Sequence, residues 1–233
     1  MVKFLFVNIT FASETAMDVE QARFNMIEHQ IRTWEVLDQE VLDLLYVIKR
    51  EDFVPAAYRM LAFSDMEIPI GLGEHMWQPR VEARVLQELA VKPTDRILEI
   101  GTGSGYFAAL LAHRAQHVYS VEIQPELKAL GEANLRRAGA SNVTVELGDG
   151  ARGWTKHAPY DIIVLTGSTP VLPQEFLRQL TVGARVFAVV GNPPVMAARL
   201  ITCTGEAIYN SIDLLETSIA PLANALAGER FSF

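Results

Sequence analysis

Three glycines and a carboxylate stand together in the segment Leu98-Glu-Ile-Gly-Thr-Gly-Ser-Gly105. The segment leaves a predicted strand and enters a predicted helix, where glycines let the backbone turn tightly and approach a ligand closely. A dinucleotide fingerprint would need its third glycine at position 106, which is Tyr106. Glu99 would repel a pyrophosphate and attract a positive ligand, so a cofactor with an ammonium and a sulfonium, S-adenosylmethionine, fits better than a nicotinamide dinucleotide. The alternative is a glycine-rich turn without a ligand.

Two further carboxylates follow the next two predicted strands. Glu122, followed by Ile123, ends the second strand and could accept hydrogen bonds from both hydroxyls of a ribose. Asp149 stands in Gly148-Asp-Gly150 after the third strand and could accept from an adenine amino group. Each has a plain alternative, a solvated strand-end carboxylate or an Asp-Gly turn. Because ligands of open α/β sheets lie beyond the carboxyl ends of the strands, the three carboxylates predict one crevice. The predicted cofactor-binding residues in these segments are Glu99, Gly101, Thr102, Gly103, Ser104, Gly105, Glu122, Ile123, Asp149 and Gly150.

The elements that must position these residues alternate apolar strands with helices. Predicted strands cover residues 96–100, 117–123, 142–147, 160–165 and 184–190. Predicted helices follow the glycines at 108–112 and cover 125–138 and 173–180. Such alternation implies βαβ units and an α/β, mostly parallel, doubly wound sheet. Segments 198–204 and 207–213, around a two-residue turn, predict a C-terminal antiparallel hairpin.

The first ninety residues have a different pattern. Helical spacing of apolar residues predicts helices from Met17 onward, over 38–48 and from Pro79 to about Leu89. Two glycines and two prolines predict a shaped loop over 65–79. Residues 1–16 are interpreted as an N-terminal extension ahead of a start-like Met17. A short secretory signal is disfavoured because Asn8 and Thr10 interrupt its apolar stretch.

Length and composition limit the class of protein. A chain of 233 residues with 50% hydrophobic residues predicts one globular domain. The formal net charge of −8 disfavours nucleic-acid partners, and no apolar run approaches the ~18 residues that a membrane span needs. Cys203 is the only cysteine, which fits a reducing, cytoplasmic setting. The five histidines lack metal-ligand spacing, so no metal site is predicted.

Several motifs resemble the protein-L-isoaspartate O-methyltransferase family over roughly residues 17–191, with a weaker echo at Ile219-Ala-Pro-Leu222. The glycine motif is common to class I methyltransferases, whereas the Ile-Pro-Ile-Gly and Gln-Pro elements are specific to this family. The motifs are Glu99-Ile-Gly-Thr-Gly-Ser-Gly105, Val118-Tyr-Ser-Val-Glu122, Gly148-Asp-Gly150, Gly153-Trp154, Phe53-Val-Pro55, Ile68-Pro-Ile-Gly71, Gln78-Pro79 and Gln179-Leu180.

The resemblance implies a methyltransferase sheet with N-terminal helices and extra C-terminal strands. It divides the chain into an extension (1–16) and one domain (17–233), with a helical and loop cap (17–90), a cofactor-binding core (91–195) and C-terminal strands (196–233). It also implies methyl transfer from S-adenosyl-L-methionine to the α-carboxylate of isoaspartyl residues in damaged protein. A carboxylate is ionised at pH 7, so this reaction needs no general base.

The loop before Pro79 departs from the family pattern Gly-Gln-Thr-Ile-Ser-Gln-Pro. Here it reads Gly73-Glu-His-Met-Trp-Gln-Pro79, which puts His75 at the Thr position and Trp77 at the Ser position. By the resemblance, His75 and Met76 face the cofactor and Trp77 lies at the acceptor side, as a candidate catalytic residue. An indole cannot accept a hydrogen bond as a hydroxyl does, so the acceptor itself could differ, and Trp77 could also simply pack in the core.

Three functions therefore stay open at this point. The first is an isoaspartyl methyltransferase; the second is the same cofactor site with another, small or peptide, acceptor; the third is a module that binds the cofactor without turnover. The segment Thr166-Gly-Ser, where the family tends to have Thr-Ala-Ala, is a second departure on the substrate side. Asn192-Pro-Pro-Val195 resembles a motif of base-methylating enzymes, but it follows the fifth strand and lacks the aromatic residue, so we interpret it as a turn. The oligomeric state is not predicted.

Overall fold

A computed structural model describes residues 18–226 of the protein, and the predicted extension 1–16 lies outside that range. The chain enters helix α1 (Val19–Asn25), which continues as a π-helical segment, Met26–Ile31, and a 3₁₀ turn, Arg32–Trp34. The side chain of Asp18 accepts from the backbone N–H groups of the first turn and caps the helix. The predicted first helix is therefore confirmed, as one helical segment with a change of pitch.

The cap continues with α2 (Gln39–Val47), which Asp38 begins in the same way, close to the predicted bounds. The predicted loop over 65–79 is wrong, because residues 68–76 form a hairpin of β1 (Ile68–Gly71) and β2 (Glu74–Met76). Gly71, Leu72 and Gly73 all have positive φ angles, which close its turn. The high density of Gly and Pro marks this turn rather than an irregular segment.

Helix α3 (Pro79–Leu89) has its proline in the first turn, as predicted. Beyond it, a seven-stranded sheet has the order β5-β4-β3-β6-β7-β8-β9, in which the first five strands are parallel and the last two are antiparallel. The remaining elements are β3 (Arg96–Ile100), α4 (Tyr106–Arg114), β4 (His117–Glu122), α5 (Pro125–Arg137), β5 (Val143–Leu147), β6 (Tyr160–Leu165), α6 (Gln174–Leu177), β7 (Leu180–Asn192), β8 (Val195–Gly205) and β9 (Ile208–Glu216).

Both faces of the central strands are covered, which explains their continuous apolar sequences. Neighbouring residues alternate between two hydrophobic clusters. Ile97 and Ile162 join a cluster with the cap, including its helix α3, and with α4, whereas Leu98 and Ile163 join a cluster with α6 on the other face. The predicted α/β class and its mostly parallel sheet are confirmed. Because the cap and the sheet share the first cluster, we propose that residues 18–226 form one domain.

Two predicted elements have different bounds in the structure. The helix predicted over 173–180 is a single turn, α6, because residue 180 already begins β7. β7 is longer than the predicted strand 184–190 and pairs antiparallel with β8, so the C-terminal part is a three-stranded meander rather than a hairpin alone. Asn192 pairs with Val195, which confirms the turn interpretation of Asn192-Pro-Pro-Val195.

Residues 217–226 follow the last strand and return toward the carboxyl ends of β3 and β6, where they contact the loop after β6. They contain no further named strand, so the predicted C-terminal strands of 196–233 end at Glu216 within the part that the structure describes. Within 18–226, no helix has the length and apolar character that crossing a membrane requires.

Candidate active site

A crevice lies at the carboxyl ends of β3, β4, β5 and β6, where the sequence predicted it. Among the residues that the structure describes, every predicted site residue except Gly105 lines the crevice. The predicted residues along its walls are His75, Met76, Trp77, Glu99, Gly101, Thr102, Gly103, Ser104, Glu122, Ile123, Asp149 and Gly150.

The glycine turn after β3 needs its glycines for two different reasons. Gly101 has φ +98°, and a Cβ added there would lie 2.2 Å from the Oγ1 atom of Thr166. Gly105 has φ +81° and is the N-cap of α4, and a Cβ there would lie 3.0 Å from the carbonyl oxygen of Gly131 in α5. Gly101 therefore lets β3 approach the loop after β6, whereas Gly105 lets two helices approach each other.

Glu99 is fully buried at the end of β3. The hydroxyl of Ser120 donates to its Oε2 atom, and Thr102 lies 2.6 Å from the same hydroxyl. Its other oxygen, Oε1, has no hydrogen-bond partner among residues 18–226. Burial raises the pKa of Glu99 to about 8, although the Ser120 hydrogen bond lowers it and the charge of Glu122 raises it. A cation bound here would supply the missing partner and favour the ionised form.

Glu122 is held by the backbone. Its Oε2 atom accepts from the N–H of Gly103 at 3.0 Å, and its Oε1 atom accepts from the N–H of Gln124 at 3.0 Å. These bonds connect the end of β4 to the glycine turn after β3. Each carboxylate oxygen can accept more than one hydrogen bond, so both remain able to accept from a ligand hydroxyl.

Asp149 contacts a C-terminal segment that was not among the predicted site residues. Its Oδ1 atom accepts from the N–H of Ala151 at 3.0 Å, which closes a turn at Asp149-Gly150. Its Oδ2 atom accepts from the side-chain amide of Asn224 at 2.9 Å. Beneath this turn, the ring of Trp154 lies so close to Gly148 that a Cβ there would be 2.4 Å from it. Trp154 therefore packs against this turn.

Residues 219–223 form one wall of the crevice. The backbone N–H of Ser168 donates to the carbonyl of Ala220, its carbonyl accepts from the N–H of Leu222, and its hydroxyl donates to the carbonyl of Ile219. A Cβ on Gly167 would lie 2.8 Å from the backbone nitrogen of Leu222. The Gly-Ser departure from the family pattern therefore lies where the C-terminal segment meets the sheet.

The hairpin also lines the crevice. His75 is exposed on β2, whereas Met76 and Trp77 are buried. The indole of Trp77 is 7% exposed, and its centroid lies 5.5 Å from Phe107 and 5.8 Å from Phe187. Trp77 thus lines the crevice with part of its surface while its rings pack in the core.

The lining residues that the sequence analysis missed include acidic and C-terminal side chains. Glu67 and Glu74 come from the hairpin region, and the buried Glu82 comes from α3. No Lys or Arg lines the crevice within the described part of the chain. The weak echo at 219–222 was the one signal for the C-terminal wall, and the sequence carried no signal for Glu82. The same residues, 18–226, contain no cluster of His, Cys, Asp and Glu suited to a metal ion.

The family model described as protein-L-isoaspartate(D-aspartate) O-methyltransferase matches residues 21–219, which include every element of this crevice before Ala220. The chain belongs to the protein-L-isoaspartate O-methyltransferase family. It is thus a methyltransferase of the isoaspartyl-repair family that uses S-adenosyl-L-methionine, and the predicted family, enzyme class and cofactor are confirmed.

Relatives support the assignment over most of the chain. The protein-L-isoaspartate O-methyltransferase of Methanoculleus marisnigri is 43% identical over 72% of this chain and 77% of its own length. That of Koribacter versatilis is 37% identical over 80% of this chain and 83% of its own. Protein-L-isoaspartate O-methyltransferase 2 of Pelobacter propionicus is 39% identical over 88% of this chain and 92% of its own length.

Solved structures of isoaspartyl methyltransferases share the fold. One superposes with a TM-score of 0.73 and 24% identity, over 88% of this chain and 66% of that chain. A second, described as a putative protein-L-isoaspartate O-methyltransferase from Plasmodium falciparum in complex with S-adenosyl-L-homocysteine, gives a TM-score of 0.72 and 16% identity, over 85% and 97%. At these identities the two structures support the fold of this chain.

Proposed function

We propose that the crevice holds S-adenosyl-L-methionine along the ends of β3, β4 and β5 and directs its methyl group toward the hairpin. The observation that carries this assignment is the convergence of Glu99, Glu122 and Asp149 around a glycine turn that side chains would obstruct. The hairpin residues line the same crevice, so the cofactor and the acceptor would share one space, and we call the part beside the hairpin the acceptor end.

The residues fit the cofactor in chemistry as well as in position. Glu99 has a buried oxygen that lacks a partner within the described residues, which suits the cofactor's ammonium group. Glu122 would accept from the ribose hydroxyls and Asp149 from the adenine amino group, as the sequence predicted. Gly101 and Gly103 keep the turn free of side chains. When bound, the cofactor supplies an activated methyl group on a sulfonium.

The acceptor is a carboxylate of an isoaspartyl residue in a protein or peptide. Glu99, Glu122 and Asp149 would hold the cofactor, which would give its methyl group to a carboxylate oxygen and leave as a neutral thioether. The chain's contribution is alignment and exclusion of water, because the nucleophile is already ionised at neutral pH. Met76, Trp77 and Phe107 give the acceptor end an apolar surface that suits this role.

One observation favours a second acceptor class. Glu67 and Glu74 line the acceptor side with no Lys or Arg on the described walls, whereas the charge of Glu82 there is offset by the buried Arg50, and Trp77 replaces the family hydroxyl. Such a surface repels an anion and suits a neutral or cationic acceptor. The second candidate is therefore methyl transfer from the same cofactor to a different small or peptide acceptor.

A direct assay separates the candidates. The full chain is incubated with an isoaspartyl peptide and cofactor labelled in the methyl group, with the matching aspartyl peptide as control. Methyl ester on the isoaspartyl peptide alone supports the proposal. Cofactor binding in calorimetry without ester formation would overturn it, and a screen of other acceptors then distinguishes the second candidate from a module that only binds the cofactor.

Trp77→Ser tests the acceptor side separately, because it restores the hydroxyl of the family loop. If Trp77 excludes the isoaspartyl carboxylate, ester formation rises in the variant while cofactor affinity is unchanged. Trp77→Phe is the control, since it keeps an aromatic ring without adding a hydroxyl. A wild type that is fully active, with no change in Trp77→Ser, would show that position 77 has no role in acceptor choice.

We further propose a protein substrate in a reducing, cytoplasmic setting. The family's substrate class supports the first part. The single cysteine, Cys203, is buried and has a free thiol, which supports the second.

A further inference from the structure

A buried arginine connects the cap to the acceptor end of the crevice. Arg50 is 1% exposed, and its Nη1 atom forms an ion pair with Glu82 of α3. Its Nη2 atom donates to the backbone carbonyl of Trp77 at 2.6 Å. The guanidinium carbon also lies 5.4 Å from the ring centroid of Tyr106, at the start of α4.

These contacts converge on the two parts of the site. Trp77 and Glu82 line the acceptor end, whereas Tyr106 directly follows the glycine turn. Because Trp77 is in the short connection between β2 and α3, the bond from Arg50 restrains this connection at its backbone. The planar guanidinium has donors in a fixed fork, so one side chain can hold the carboxylate and the carbonyl at once.

Resting on the proposed function, we propose that Arg50 is a positioning residue for methyl transfer, which fixes the acceptor wall through the Trp77 carbonyl and Glu82. It does not line the crevice in the described chain, so it acts through these two partners. Arg50 stands at the start of a 3₁₀ turn, Arg50–Asp52, in the cap. The cap therefore sets the geometry of the acceptor end without contributing Arg50 to its surface.

The chain contains a closely matched control for this role. Arg23 is also 1% exposed, pairs with Glu51 and Glu20, and lies over an aromatic ring, that of Phe63, at 5.9 Å. Neither Arg23 nor its two carboxylate partners lines the crevice as described. A loss of stability from disturbing a buried arginine should therefore appear in both sites, whereas a loss of acceptor positioning should appear only at Arg50.

The experiment compares Arg50→Lys with Arg23→Lys in the full chain. An ammonium group can pair with the carboxylate or reach the carbonyl, but it lacks the fork that does both. We expect the backbone amides of residues 75–78, measured without cofactor, to exchange hydrogen at least tenfold faster in Arg50→Lys than in Arg23→Lys. We also expect its kcat/KM for the isoaspartyl peptide to be at least tenfold below that of Arg23→Lys, with cofactor Kd within threefold of wild type.

Equal exchange and equal kcat/KM in the two variants would overturn the positioning role. If Arg50→Lys does not fold, as judged by circular dichroism, Glu82→Gln and Glu51→Gln provide the same comparison on the partner side. In that pair only Glu82→Gln should accelerate exchange at 75–78, and equal exchange would again overturn the role. A wild type without isoaspartyl activity would contradict the proposed function instead, while the exchange comparison still decides the role of Arg50.

Discussion

Replacing Glu99 by Gln should weaken cofactor binding and stabilise the cofactor-free protein, two effects of opposite sign. The substitution keeps the shape of the side chain and the hydrogen bond with Ser120. It removes the negative charge from a fully buried group whose Oε1 atom has no partner among the described residues. An uncompensated buried charge is unfavourable until a cation binds beside it.

The size of both effects follows from the burial of Glu99. A hydrogen bond to a charged group contributes about 1.5–3 kcal/mol, so Glu99→Gln should raise the cofactor Kd about 10- to 150-fold at pH 8 or above. Burial raises the pKa of Glu99 from 4.5 to about 8, so the folded protein keeps this proton where the unfolded chain loses it. Wild-type stability should therefore fall between pH 4.5 and 8, by at most about 5 kcal/mol, and Glu99→Gln should remove that loss.

The pH dependence of affinity provides the assay. Below pH 8 the wild type must release the Glu99 proton to bind a cation, which costs up to about tenfold in Kd per pH unit. The ratio of the two Kd values should thus fall from its full size at pH 8 toward one at pH 6. Calorimetry at both pH values measures it, and the ammonium group of the cofactor titrates equally in both experiments, so the ratio isolates Glu99.

Glu122→Gln is the control, because this carboxylate also holds the backbone in place through hydrogen bonds. Both of its oxygens accept backbone N–H groups, so an amide nitrogen there would face a donor. This variant should lose both affinity and stability at pH 8 and at pH 6. If Glu99→Gln also unfolded at a lower temperature than wild type at pH 8.5, or bound the cofactor as tightly at pH 8, the assignment of Glu99 to the ammonium group would be refuted.

Three further predictions test other parts of the structure. Asn224→Ala should weaken cofactor binding about 2- to 10-fold in calorimetry, because Asp149 loses a partner; tighter binding would show instead that Asn224 competes with the ligand. Gly101→Ala should destabilise the protein by at least about 2 kcal/mol more than Gly139→Ala in urea unfolding. Both glycines have positive φ, but a Cβ at 139 meets nothing within 4 Å in the described chain. Equal losses would contradict the close approach of β3 to the loop after β6. Burial acts to raise the pKa of Glu146, but three side-chain donors hold this pKa at about 2. The difference in stability between wild type and Glu146→Gln should therefore persist above pH 4.5 and shrink as the pH falls toward 2. A difference that does not depend on pH would refute the lowered pKa.

The part of the site that sequence could predict is the part in which chemistry is local. Glu99, Glu122 and Asp149 each lie at or just after the end of a strand. Parallel strands bring their carboxyl ends to one edge, so strand prediction alone brings the three together. The hairpin of residues 68–76 was missed for a local reason as well. Its Gly and Pro residues also occur in irregular loops, and the alternation of buried Ile68 and Ile70 is too short to indicate a strand alone.

The contacts that sequence could not predict are those between distant segments. Arg50 and Glu82 are 32 residues apart, and Asp149 and Asn224 are 75 apart. A charged residue in a sequence is expected on the surface, so nothing marks Arg50 and Glu82 as a buried pair. The pairs form only when the first part of the cap packs on α3 and when the C-terminal segment returns to the loop after β6.

Trp77 shows why the acceptor end can change while the cofactor end is retained. The sequence offered packing and acceptor contact as alternatives for this residue, but its rings contact Phe107 and Phe187 while another part of its surface lines the crevice. A large aromatic residue that packs in the core can replace a serine at this position without leaving a cavity or exposing apolar surface. The same substitution removes a hydroxyl from the acceptor wall, so the volume available to the acceptor is coupled to core packing. The cofactor end depends on backbone turns and buried carboxylates, which such a change does not reach.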